Sequence, residues 1–142
     1  MNLSDCIGKT IKKILLEWFY MNNEPISIIR LYVQIDDVYL NVLCSEENVY
    51  IKKQENCPVK MDVENFVYIP IEKNIDWLIQ NKILSIKYLV DSINIKRGIL
   101  FLFENHHNFA YYNMGYEIKD EGIFEIDVNI EQLPYILDNV DI

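Results

Sequence analysis

The sequence predicts an α+β domain, mainly antiparallel β, with two β-meander units each followed by a short helix. Three observations carry this expectation. β-branched and aromatic residues alternate with other residues at the period of two that suits a half-buried strand. Clusters of Asn or Asp interrupt these runs at turn spacing, and two later stretches space their apolar residues as a helix does.

From Ile11 the chain is apolar, and Ile14, Leu16, Trp18 and Tyr20 share one parity until Asn22-Asn23-Glu24-Pro25 breaks the run, so a strand followed by a turn is expected. A helix over Lys9 to Met21 competes, because Ile11, Ile14, Leu15 and Trp18 also share a helical face; the alternation favours the strand. Ile29, Leu31, Val33 and Ile35 then alternate up to Asp36-Asp37, beyond which Val38, Leu40 and Val42 alternate with Tyr39, Asn41 and Leu43, the pattern of a hairpin turning at the two aspartates. Asn48 to Lys53 adds a further strand. Val67 to Ile71 is another candidate, after which Ile75, Leu78 and Ile79 predict a short helix over Lys73 to Lys82. Strands resume at Ile83 to Val90, Ile99 to Phe103, Phe109 to Met114 and Ile123 to Val128, with Asn105-His106-His107-Asn108 as a turn. Ile130, Leu133, Ile136, Leu137 and Val140 line one side of a terminal helix that tolerates Pro134 in its first turn. Strand, hairpin, strand and helix thus occur twice in the same order. A degenerate internal duplication leaves that pattern, and so does any pair of similar meanders.

A length of 142 residues suits one domain, 1–142, and 51% hydrophobic against 25% charged residues is the balance of a chain that folds by itself. Lys9, Lys12 and Lys13 before Ile14-Leu15-Leu16 imitate a secretory leader, but Glu17 interrupts the run and no small-residue cleavage pattern follows. No apolar stretch approaches the ~20 residues that span a bilayer. Cys6, Cys44 and Cys57 are odd in number and widely spaced, which argues against a disulfide framework and suits a reducing compartment. A cytoplasmic protein without membrane contact is expected.

Catalytic signatures are weak throughout. His106 and His107 are adjacent, so on an extended chain they point to opposite faces and cannot readily chelate one metal; zinc with Cys44 or Cys57, or a Cys–His nucleophilic pair, has no spacing behind it. Asp36-Asp37, Glu46-Glu47 and Asp120-Glu121 fall in expected turns, where water solvates both charges and neither carboxyl is tuned for acid–base work. Gly8-Lys9-Thr10 shares three letters with a phosphate loop but lacks its upstream glycine and preceding strand. These residues predict no enzyme, no metal and no cofactor.

Charge carries more information. The net −9 divides as −1 over residues 1–60, −1 over 61–116 and −7 over 117–142, where eight acids accompany Lys119. Such a concentration steers a cationic partner and repels the phosphates of nucleic acid; it also simply favours solubility. Tyr111, Tyr112 and Tyr116 precede the acidic segment and Tyr135 lies inside it, a combination suited to a protein interface.

In small size, acidity, β-rich pattern and absence of catalytic motifs, taken over the whole chain, the protein resembles the immunity proteins of bacterial polymorphic-toxin and contact-dependent inhibition systems. The resemblance implies a stoichiometric inhibitor of a basic toxin domain, often a nuclease. On that reading Glu117, Asp120, Glu121, Glu125, Asp127 and Glu131 would face the toxin, with Tyr112 and Tyr116 as apolar anchors. The alternative is a homo-oligomeric or scaffold domain that assembles through a strand edge or an apolar sheet face. A third possibility, a small enzyme or ligand-binding barrel, would place His106 or His107 in a pocket.

Overall fold

The computed structural model describes residues 2–44, 48–114 and 122–140. Within them the strands are β1 (Lys13–Met21), β2 (Glu24–Ile35), β3 (Val38–Leu43), β4 (Tyr50–Gln54), β5 (Met61–Val63), β6 (Phe66–Lys73), β7 (Ile83–Val90), β8 (Lys96–Phe103), β9 (Asn108–Asn113), β10 (Gly122–Ile126) and β11 (Ile136–Asn139). All pair antiparallel.

The turns follow their residue chemistry. Asn22 and Asn23 both take positive φ, 52° and 66°, as a two-residue primed turn between β1 and β2 requires, and asparagine bears that conformation better than most residues. At the β2–β3 hairpin Asp36 has φ 54°, and its carboxylate accepts from Lys9 Nζ at 2.7 Å.

Each half of the chain is a meander closed in the same way. β1 to β4 pair in sequence, and β6 returns to the free edge of β1, with β5 outside it. β7 to β10 likewise pair in sequence, and β11 returns to the free edge of β7. The halves meet at β2, whose Arg30–Ile35 stretch holds β3 while Ile28 pairs with Gly122 of β10. Register shifts along β1 leave Ile26 and Ile29 of β2 without partners. Bulges of this kind add twist, and here they sit where β2 passes from one neighbour to the next.

The strands of both halves form one continuous sheet, and the halves share one core. Ile14, Leu16, Leu31, Val33, Ile35, Leu40 and Val42 from the first half pack with Ile83, Ile86, Ile99, Phe101, Phe103, Phe109 and Tyr111 from the second. Apart from Ile83 and Ile86, which a register shift in β7 brings to the same side, these are alternate residues of their strands, so the period of two in the sequence becomes the inner face of the sheet. On the outer face of the second half Leu89, Leu100, Ala110 and Tyr112 are covered by Val128, Ile130, Leu133 and Tyr135.

The expected α+β class is corrected by this architecture, because neither helix forms. Between β6 and β7 the chain makes turns, with Leu78 N bonded to Ile75 O at 3.1 Å, and Ile79 is 68% exposed instead of joining a buried helical face. Trp77 stacks on His107 and meets Phe103 edge-on, contacts that override the weak helical spacing. At the C-terminal end a 3-10 turn, Ile130–Gln132, takes the Asn129 side chain as its cap, and Ile136–Asn139 then pairs with Val90–Lys87. The open edge of β7 offers backbone hydrogen bonds that a helix would have left to water. No helix among the described residues is long and apolar enough to cross a membrane, a statement that does not bear on β-barrels.

Candidate functional site

Four of the eight residues expected to face a partner, Tyr116, Glu117, Asp120 and Glu121, lie outside the described residues. The other four surround β10 and the segment after it. Glu125 projects from the outer face of β10 opposite Ala110, whose small side chain leaves room for the neighbouring Tyr112 ring. Tyr112 Oη donates to Glu125 Oε1 at 2.8 Å. The ring is only 7% exposed and meets Tyr135 edge-on, so Tyr112 holds the carboxylate in place and shows little of itself to solvent. Burial, and then the hydrogen bond to Glu125, push its phenol pKa well above the usual value.

Asp127 follows β10 directly with φ 54°, and its carboxylate reaches back to the β8–β9 hairpin. It accepts from Asn108 N at 3.2 Å and lies 2.9 Å from His107 Nδ1. Trp77 stacks on that imidazole at 4.5 Å with 5° between planes. Among the described residues no hydroxyl or thiol hydrogen-bonds to His107, so the arrangement ties three segments together without assembling a nucleophile. Glu131 stands exposed on the second 3-10 turn. Asp127 was legible as an acid. Its pairing with His107 was not, because it depends on the β9–β10 register.

A second surface escaped sequence reasoning. Cross-strand partners share a face, so Phe19 opposite Tyr68, Met21 opposite Phe66, and Met61 and Val63 opposite Tyr68 and Phe66 form one apolar side of the β1–β6–β5 wing. The rings touch, with Phe19 5.6 Å from Phe66 and 5.2 Å from Tyr68. None of these residues belongs to a core cluster, and Met61 is 53% and Val63 48% exposed. In the sequence this alternation resembles that of any half-buried strand; among the described residues none joins it to a core cluster.

The same face continues to Glu17, whose buried carboxylate accepts from Tyr32 Oη at 3.1 Å and lies 4.0 Å from Arg30 Nε. Beyond it Leu15, Tyr32 and Tyr39 form a small cluster, and Tyr39 Oη bonds to the exposed Cys57 Sγ at 3.4 Å. Burial, then the Cys57 contact, push the Tyr39 phenol up to about 12. Cys6 and Cys44 are buried, and burial raises both thiol pKa values, which disfavours the reactive thiolate. Among the described residues no group of three or more His, Cys, Asp or Glu side chains is placed to hold a metal ion.

Two clefts accompany these surfaces. One, about 220 Å³, lies beside β11 and the β7–β8 turn, lined by Val90, Asp91, Asn94, Ile136 and Leu137. Asp91 there is committed to its own turn, accepting from Ile93 N, Ile95 N and Arg97 Nε at 2.8 to 3.0 Å. The other, about 170 Å³, lies between the N-terminal 3-10 turn, β3, β4 and β7.

Comparison with protein-family models, with curated proteins and with solved structures returned no match for this chain.

Proposed function

We propose that the chain is a non-catalytic protein-binding inhibitor, an immunity protein that neutralises a basic, nuclease-type bacterial toxin by stoichiometric binding. The observation that carries this reading is the partly exposed apolar side of the β1–β6–β5 wing: among the described residues Phe19, Met21, Met61, Val63, Phe66 and Tyr68 project together from one sheet face outside the core clusters. Soluble monomers seldom leave large apolar patches in water, and aromatic and methionine side chains are enriched where proteins dock. The basic character of the partner follows from charge. Glu24 and Glu64 are exposed at the end of the wing, and the chain carries −9 overall. A second copy would bring another −9 to the contact, whereas a cationic domain would relieve the repulsion.

The test is to capture partners at low salt, purify any basic protein recovered, and titrate it against wild type and a Met61→Glu/Phe66→Ser double variant. A one-to-one complex that silences nuclease activity with wild type, and is at least about tenfold weaker with the variant, supports the proposal. Retention of full toxin activity in the complex counts against it.

Self-assembly is the second reading, favoured by β11, an edge strand whose Ile136 is 69% exposed. Light scattering that gives a dimer mass for wild type and a monomer mass for the double variant would move the wing from a toxin interface to a homodimer interface.

A further inference from the structure

We propose that the open edge of β5 pairs with the same edge of a second copy of this chain, antiparallel about a two-fold axis at Met61. The strand is the last in its wing: among the described residues nothing pairs with it beyond β6. Its Glu64-Asn65 turn is closed by Val63 and Phe66, so Val63 and Met61 direct their backbone groups towards β6. Alternation leaves the N–H and C=O of Asp62 on the open side, in line with those of Lys60 once the strand is prolonged by two residues. Such an edge is a template for strand addition.

The order of side chains along the edge selects the partner. Val59-Lys60-Met61-Asp62-Val63 is complementary to itself read in the opposite direction. With Met61 opposite the partner's Met61, Val59 falls opposite the partner's Val63 and Lys60 opposite the partner's Asp62. Opposed residues share a face, so the apolar pairs would prolong the Phe66–Tyr68 side of the wing, and the ion pairs would lie on the other side. Val59 is 74% exposed, and Met61 and Val63 are exposed as well, so pairing withdraws apolar surface from water. Within one chain Lys60 and Asp62 lie 3.9 Å apart in an exposed contact that costs little to exchange for a cross-strand one. Other antiparallel registers fit less well. Centring on Asp62 sets two aspartates opposite each other, and centring on Val63 sets Asp62 opposite Glu64. Pro58 has no N–H with which to lengthen the ladder, and the two-fold axis closes the assembly as a dimer. The −9 of each chain opposes association, but Lys60 and Asp62 cancel within the paired segment, and exposed charges more than about 8 Å apart are largely screened at physiological salt. The pairing uses the backbone edge and leaves the apolar face of the wing open, so it is independent of what that face binds.

So short a contact gives a weak dimer, and sedimentation equilibrium of the full chain from about 10 µM to about 1 mM should show association that grows with concentration. Lys60→Asp and Asp62→Lys each set like charges opposite each other and should weaken the dimer about tenfold or more. Asp62→Lys also takes the net charge from −9 to −7, which by itself would favour association, so a weakening there reports the register. Mixed in equal amounts, the two variants set the aspartates of one chain opposite the lysines of the other and should associate as wild type does, which also shows that both remain folded. A wild type that stays monomeric to about 1 mM would overturn the proposal. So would a dimer that neither substitution weakens, the result expected of copies that meet through the apolar face or β11, and so would a mixture no more associated than its components.

Discussion

Gly98 leaves no room for a side chain. A Cβ there would lie 2.4 Å from both Tyr111 O and Tyr112 Cβ on the neighbouring strand, so Gly98→Ala must push β8 away from β9. A loss of about 1–3 kcal/mol in chemical denaturation is expected, the usual cost of overpacking. The opposite sign is expected at Tyr111, whose side chain is fully buried with a hydroxyl that has no hydrogen-bond partner among the described residues. Tyr111→Phe removes that unsatisfied group and keeps the ring, so the variant should unfold at equal or higher denaturant concentration, with a gain of up to about 1 kcal/mol. A clear loss of stability would show that the hydroxyl is satisfied. Neither site was legible in the sequence. Gly98 is one of four glycines without a turn signature, and Tyr111 reads there as an ordinary strand tyrosine.

At the scale of elements, hairpins were readable and return strands were not. Asn22-Asn23 and Asp36-Asp37 announce their turns because their side chains tolerate positive φ, a local property. The turn from β7 to β8 is built differently, around Asp91. Burial alone would raise its pKa, but hydrogen bonds from Ile95, Arg97 and Ile93 outweigh that and hold it below the usual carboxylate value. A depressed folded pKa contributes stability above the unfolded value of ~3.9, and that contribution is lost as pH falls through the folded pKa. Asp91→Asn should therefore cost about 1–3 kcal/mol at neutral pH, with the gap from wild type narrowing below about pH 4. A gap that stays constant into acid would assign the effect to packing. β11 shows the contrary case: its Ile136-Leu137 spacing suits a helix, and only the unpaired edge of β7 makes it a strand.

Across the whole molecule, acidic charge is spread more widely than apolar exposure, although Glu24 and Glu64 border the apolar wing. On the proposed reading the acids would steer a basic partner and the exposed apolar residues of the wing would supply the contact. Glu24, Glu64 and Glu131 are all exposed, so changing the three to lysine, two charges each, takes the net charge from −9 to −3 without disturbing a buried group. The association rate with a basic partner should fall about tenfold at low salt and its salt dependence should flatten, with the thermal midpoint unchanged. An unaltered rate would detach binding from the acidic field. The same distinction marks what could be known beforehand. The total charge, the antiparallel strands at period two and the asparagine and aspartate turns were determined by sequence alone, because each depends on a residue and its near neighbours. Three features were decided only by the tertiary structure: the replacement of both helices, the pairing of His107 with Asp127, and the exposure of apolar residues on the wing. Each depends on which strand lies beside which, and that is set by backbone edges seeking partners and by inner faces seeking cover.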